Sequence, residues 1–540
     1  MNMEKYQKSF KEFLTDVSYI VPVILIAILS FGFVLTHESV NVDTLSAERY
    51  FENGELIAQG RIGAVLIHKI FDIMEFNPFF VDFIAVIFLV LTAITFCMLF
   101  KEITKNQIPQ IAYPIFSGFF ISYPLIHEIF VYTPSSLSVG LGFFLIAISL
   151  ISMYEFTKTS KIRYVFMACF ATFLAVGLYE SFAPVYLCGM LITFILEGIY
   201  QEEEVKFVKL FKKGIIYILV LGVAVGFAIL IPNICQDILG IEPSQNAEKA
   251  ILYKTLGIRE GLQKLGETIL LKYGIAAIYY LPITMYAIAV IICIAFLVAS
   301  LWKKKKRWLS LCYFGLILST IILSIIQGVA SPYRTCQVFP LFVSFIFLLL
   351  TCQIKKIKGR KVLKNFIIFV FFMMIFFQAK DLHKWFYLND RRYEYEKNLV
   401  IQVGQELEKN YNLDKPVVFV INRDIPEDIK DEIYVKNDTS QAELAKNLAE
   451  IFHIEETSWG KGKYLLKINE TNVASYLTWA VEAFGEPNTE VLKFFSYLGY
   501  ELKQGNVDMY LEARENMKNQ PVFPKQGSII EREEYIIVHL

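Results

Sequence analysis

Six side chains with acid–base or anion-binding chemistry fall in the polar segments between long apolar runs: Asp43, Arg61, Glu128, Tyr132, Glu180 and Arg334. Carboxylates take up protons, and a guanidinium offers paired donors that match phosphate oxygens and keeps its charge at any ordinary pH. The histidines and cysteines point elsewhere. Six scattered histidines form no HxxxH or HExxH pattern, so no zinc site is expected. Eight cysteines, almost all inside apolar runs and without a CxxC spacing, read as small hydrophobic filler. Whatever positions the six polar residues must therefore be the apolar framework around them.

That framework belongs to a membrane. Of 540 residues, 55% are hydrophobic and only 19% charged, and the mean hydropathy is +0.47. Apolar runs long enough to cross a bilayer recur near 18–36, 79–100, 109–126, 134–153, 162–178, 180–197, 213–233, 274–300, 308–328, 335–353 and 362–380. The expectation is a mainly α-helical polytopic protein of about 11 transmembrane helices. Lysines and arginines mark every second junction: Lys101 and Lys105, then 158–163, 206–213, 303–307 and 355–361. By the positive-inside rule these turns and the N-terminus are cytoplasmic. A formal net charge of zero says little about partners, and nothing points to nucleic acid.

The run 162–196 tests this layout, because both of its flanks are basic and belong on one side. One crossing would separate them; two short helices with a turn at "LYES" keep them together. Glu180 then lies at the outer boundary and avoids most of the ~3 kcal/mol cost of a mid-membrane charge. The same parity puts the long first loop (37–78), 127–133, 234–273, 329–334 and everything after about 380 outside. All six polar residues meet on that face. After Arg61, "IGAVLIHKIFDIMEF" has apolar residues at three- and four-residue spacing, which predicts an interfacial helix with Arg61 at the height of lipid phosphates. Beyond 381 the composition changes. Strands at 416–422, 464–469 and 535–540 and helices near 440–452, 471–484 and 488–498 predict a small extracytoplasmic α/β domain, so the chain divides into 1–380 and 381–540.

Taken together these residues resemble the O-antigen-type glucosyltransferases of the GT-C class. The resemblance rests on Asp43 in the first loop, Gly60-Arg61 opening a jaw helix, "LYESFAPVYL" at a helix junction, "SPYR" before a late span, and "KWFYLNDRRYEYEK" leading out of the last one. The tail "QPVFPKQGSIIEREEYIIVHL" is similar to the closing segment of Gram-positive members. It implies a multi-pass enzyme of the bacterial cell membrane that moves a sugar, glucose by inheritance from the family, from a polyprenyl-phosphate carrier to a cell-surface polysaccharide or teichoic-acid-like acceptor. A flippase and a donor synthase would be its pathway partners. One departure stands out: Val42 occupies the place of a second aspartate, which argues against a paired-carboxylate metal site, and a divalent cation (Mg or Mn) stays an open addition.

Inverting transfer needs a base for the acceptor hydroxyl and cations for the departing phosphate. The resemblance makes Asp43 the base and Arg61 and Arg334 the phosphate ligands. Glu38, Glu128, Tyr132 and Glu180 become substrate contacts, with Glu38 the alternative base. Structural alternatives exist for each: a helix N-cap for Asp43, snorkelling for Arg61, an ion pair closing the helix turn for Glu180, interfacial anchoring for Tyr132. A polysaccharide polymerase or ligase, a glycolipid transporter and a membrane scaffold are the rival functions. A transporter would show mid-span charges and an internal repeat, neither of which is evident.

Overall fold

The computed structural model describes residues 3–37, 39–40, 44, 54–70, 78–131, 133–200, 207–244, 251–278, 280–302, 306–357, 359–421 and 488–540. The chain is helical over most of that length. An amphipathic helix α1 (Met3–Thr15) meets α2 (Val17–Phe31) at a 72° bend. Asp16 caps α2: its carboxylate accepts from the Ser18 amide at 3.0 Å and from the Gln110 side chain at 2.7 Å. This satisfies part of an otherwise open helix start. The sequence reading treated 1–17 as a tail; α1 is instead a helix held by ion pairs.

There follow α3 (Ile62–Ile70), α4 (Pro78–Ile103), α5 (Ala112–Ile121), a one-turn α6 (His127–Phe130), α7 (Thr133–Thr159), α8 (Arg163–Leu178), α9 (Phe182–Tyr200) and α10 (Phe207–Leu239). The second half brings α11 (Leu281–Leu301), α12 (Trp308–Gln327), α13 (Val338–Lys356) and the very long α14 (Lys361–Asn410). Among the described residues eight helices are long and apolar enough to cross a membrane, nine if the bent α1–α2 pair is one span. Each of the eleven expected runs contains a helix, but three are short, and α2 with 15 residues reaches span length only together with α1. α8 has 16 residues, and α5 has only 10 because Pro124 opens a separate 3₁₀ turn two residues beyond its C-cap.

Burial explains the sorting of these helices. α7 and α13 run through the middle, buried along most of their length, whereas α10 and α14 expose most of theirs. The exposed faces are apolar: Ile28, Phe170, Leu219, Ile291, Phe314 and Phe366 stand out from six different helices. Such a belt would aggregate in water and is at home in lipid. This is a membrane protein. All eight cysteines are free, and none forms a disulfide.

The last expected span and the amphipathic segment after it are one helix rather than two. α14 has 50 residues, about 75 Å of helix, of which about 20 residues suffice to cross a bilayer. Its far end packs on a three-stranded sheet of order β1-β3-β2, in which β1 (Val417–Val420) runs parallel to β3 (Ile536–His539) and β2 (Ile529–Glu531) antiparallel. Helices α15 (Thr489–Tyr497) and α16 (Val507–Asn516) lie against it. Two of the three expected strands and the helix at 488–498 are thereby present. The strand at 464–469 and the helices at 440–452 and 471–484 lie outside the described residues.

Candidate functional site

Arg61 reaches its place because two glycines let two backbones touch. Gly60 takes φ +79°, turning the chain so that the Arg61 carbonyl accepts from Ala64 and Val65 at the start of α3. One residue inside α3, a Cβ on Gly63 would lie 2.7 Å from the Leu174 carbonyl oxygen, the Gly177 carbonyl carbon and the Leu178 nitrogen. α3 therefore lies backbone to backbone on the end of α8. The helix expected after Arg61 is present, and its apolar residues divide between two faces: Leu66 and Ile70 are exposed, while Gly63, Ala64, Ile67 and His68 are buried. Close helix packing within a membrane selects small residues, and the larger apolar ones turn to lipid.

α8 ends at Leu178, and α9 begins at Phe182. The break at "LYES" falls where the charge parity required it. Tyr179 is extended (φ −159°, ψ 127°) and buried. The Arg61 guanidinium lies over its ring, 4.4 Å from the centroid. From the next residue, a Glu180 carboxylate oxygen stands 3.9 Å from Arg61 Nε. Half of the Glu180 side chain is exposed, as expected of a residue at the membrane boundary. Arg334, exposed in the 3₁₀ turn Tyr333–Thr335, brings a third charge: Arg61, Glu180 and Arg334 all act on the Tyr179 phenol. Arg61 and Glu180, singled out in the sequence from stretches more than a hundred residues apart, meet beside one tyrosine that was not, and the charge of Arg334 reaches the same phenol.

A second group adjoins the first through Tyr333. Its ring lies 5.3 Å from that of Tyr280. Tyr280 in turn makes an edge contact with Trp385 at 6.4 Å, and His127 stacks on Trp385 at 5.1 Å. Glu128 belongs here, wholly buried, with Oε1 3.7 Å from His127 Nε2. Burial pushes the His127 imidazole down to about 4, against a hydrogen bond with the Pro124 carbonyl that favours its charged form. That carbonyl only accepts, so Nδ1, 2.7 Å away, carries the ring proton. Nε2, the unprotonated ring nitrogen, then faces Glu128 Oε1.

Glu38, Asp43 and Tyr132 lie outside the described residues. The residues flanking Asp43 on either side, Val40 and Thr44, are buried, and Ser39 Oγ accepts from Asn389 Nδ2 of α14 at 2.7 Å. The first loop thus leaves α2 against α14, one turn beyond Trp385. Sequence reasoning missed Tyr179, Tyr280, Tyr333, Asp381 and Trp385. The signal available for Tyr179 and Tyr333 was an aromatic directly before Glu180 and before Arg334, in "LYES" and "SPYR". Among the described residues no group of three or more His, Cys, Asp or Glu side chains is placed to hold a metal ion.

A family model described as glucosyl transferase GtrII matches residues 32–351. This range contains Arg61, Glu128, Glu180 and Arg334, and stops short of α14. No curated protein and no solved structure matches the chain.

Proposed function

From the premise that the chain belongs to the GtrII glucosyl transferase family, we propose that it takes glucose from a polyprenyl-phosphate carrier and transfers it with inversion to a cell-surface glycan at the outer face of the membrane. That it is a membrane glycosyltransferase follows from the family and the apolar helices; the donor, the acceptor and the orientation are the proposal. The observation that carries it is the convergence of Arg61 and Arg334 on Tyr179. Two guanidiniums drawn from opposite halves of the chain to one spot suit a phosphate group held while its bond to the sugar breaks.

In this reading Glu180 orients Arg61, whose Nε faces it, and Tyr179 supports the guanidinium from below. Asp43 accepts the proton of the attacking acceptor hydroxyl, with Glu38 as the alternative base. The C1–O bond to the phosphate breaks as the acceptor oxygen attacks from the opposite face, and the polyprenyl phosphate leaves with its charge held by the arginines. Glu128 and Tyr132 contact sugar hydroxyls. The sheet region carried by α14 contacts the acceptor glycan.

The test is transfer of radiolabelled sugar from polyprenyl-phosphate-glucose to a cell-wall polymer extract, comparing wild type with Asp43→Asn and Arg334→Ala, with and without EDTA. Transfer by wild type and its loss in both variants supports the assignment, and the EDTA lane shows whether a divalent cation takes part. An active wild type matched by both variants moves the site elsewhere in the chain.

A further inference from the structure

Three buried polar atoms on three elements have no hydrogen-bond partner among the described residues: Tyr280 Oη, Trp385 Nε1 and Asp381 Oδ2. Tyr280 and Trp385 are 2% and 5% exposed. Tyr280 precedes α11, while Asp381 and Trp385 sit one helical turn apart on α14. They form one neighbourhood. The charges of Glu128 and Asp381 both act on the Tyr280 hydroxyl, and the Trp385 indole acts on the Asp381 carboxylate without completing a hydrogen bond to Oδ2. Leaving a buried polar atom unsatisfied costs about 1–3 kcal/mol, and three in one place is a cost that packing alone does not explain.

We propose that Tyr280, Asp381 and Trp385, beside the His127–Glu128 pair, form the subsite that holds the hydroxyl groups of the transferred sugar. The inference rests on the donor reading above and extends it to three residues given no role in the sequence reading, two of which, Asp381 and Trp385, lie beyond the match over 32–351.

The chemistry of the groups selects the ligand. An indole N–H only donates, a carboxylate only accepts, and a phenol does both. A neutral polyhydroxyl ring satisfies all three. A phosphate would meet two carboxylates here, and a metal ion would meet an indole N–H that cannot ligate it. The position fits as well. Tyr333 packs on Tyr280, and the next residue, Arg334, reaches the arginine cluster. The acidic, aromatic subsite and the basic one are thus joined by adjacent residues about 3.8 Å apart along the chain, as the sugar and phosphate of a glycosyl phosphate are joined by one bond.

The experiment measures binding of two lipids to the full-length protein in detergent micelles by titration calorimetry: a short-chain polyprenyl phosphate and its glucosyl ester. The variants are Tyr280→Phe and Trp385→Phe, which remove the polar atom and keep a ring, Asp381→Asn, and Arg334→Ala. Wild type is expected to prefer the glucosyl lipid. The two Phe variants reduce that preference about 3–10-fold and Asp381→Asn about 10-fold or more, with affinity for the bare phosphate unchanged. Arg334→Ala weakens both lipids equally. Subsite variants that keep the wild-type preference, or that weaken both lipids alike, overturn the subsite. A wild type that binds the bare phosphate without preferring its glucosyl form overturns the subsite and leaves the arginine cluster standing. Binding of neither lipid overturns the donor reading and the subsite with it. Size-exclusion profiles and thermal midpoints of the variants separate misfolding from loss of recognition.

Discussion

The two ends of the helical bundle treat their polar side chains in opposite ways. At the end where α4, α7 and α9 finish, partners meet at short range. Glu197 receives Lys213 through both carboxylate oxygens at 2.9 and 3.0 Å, Lys101 reaches Glu12 at 2.6 Å, Tyr6 donates to Glu155 at 2.8 Å, and Glu102 binds both Lys5 and Lys158. At the other end, among the described residues, Arg61 Nε and Glu180 stand 3.9 Å apart, His127 and Glu128 stand 3.7 Å apart, and Tyr280, Asp381 and Trp385 hold polar atoms without a hydrogen-bond partner. The same residue types thus serve two purposes. Closed pairs fix the helix ends, and the unsatisfied atoms of Tyr280, Asp381 and Trp385 keep hydrogen-bonding capacity for something that comes and goes. Stability and function should accordingly separate between the two ends when each is mutated.

The largest effect is expected at the closed end. Glu197→Gln leaves the partly buried Lys213 without its counter-charge, at a cost of about 3 kcal/mol. Thermal unfolding in detergent should show the loss, while transfer per folded molecule stays near wild type; a specific loss of transfer would blur the contrast. Next in size is the open end. Arg334→Ala is expected to lower transfer about 10²-fold with an unchanged thermal midpoint. Arg334→Lys should recover little, because a point charge does not replace a planar fork. A midpoint that falls along with transfer would make Arg334 a structural residue.

A smaller effect tests how the open end is built. Gly63→Val drives a side chain into the Leu174–Leu178 backbone and should cost about 1–3 kcal/mol, with a loss of transfer as Arg61 shifts. Gly222→Ala on α10 meets nothing within 4 Å and should be neutral or stabilising by about 0.5–1 kcal/mol. If the two glycine variants behave alike in both assays, close packing of α3 on α8 does not position Arg61. Smallest is Asp16→Ala, which removes the α2 cap at about 1 kcal/mol, visible in the thermal midpoint and absent from transfer kinetics.

Much of this architecture was legible along the chain. Hydropathy located every apolar helix, and basic flanks pointed to the helix break within 162–196, because lipid penalises unpaired charge and unsatisfied backbone so heavily that the pattern has few solutions. Arg61, Glu180 and Arg334 were visible as charges at span ends. Less legible was which face of α3 packs inward. Leu66 and Ile70 stood out as an apolar stripe, but inside a bilayer apolarity does not distinguish protein from lipid, and only the neighbouring backbone at Gly177 reveals that Gly63 is the contact. The continuity of α14 through 381–398 was hidden for a related reason, since the change from apolar to charged residues marks where a helix leaves the membrane and not where it ends.

The sequence by itself determined a membrane protein of many apolar helices, the side of each break on which charge collects, and three of the residues that meet at one site. Each of these follows from the transfer of side chains between water and lipid, a property that a residue carries with it. Tertiary structure alone decided that Tyr179 is the point where Arg61, Glu180 and Arg334 converge, that Glu128 is buried beside His127, and that Tyr280, Asp381 and Trp385 stand together with their polar atoms unspent. Those facts depend on which helices are neighbours and on a packing distance set by two glycines, and no single stretch of chain contains that information.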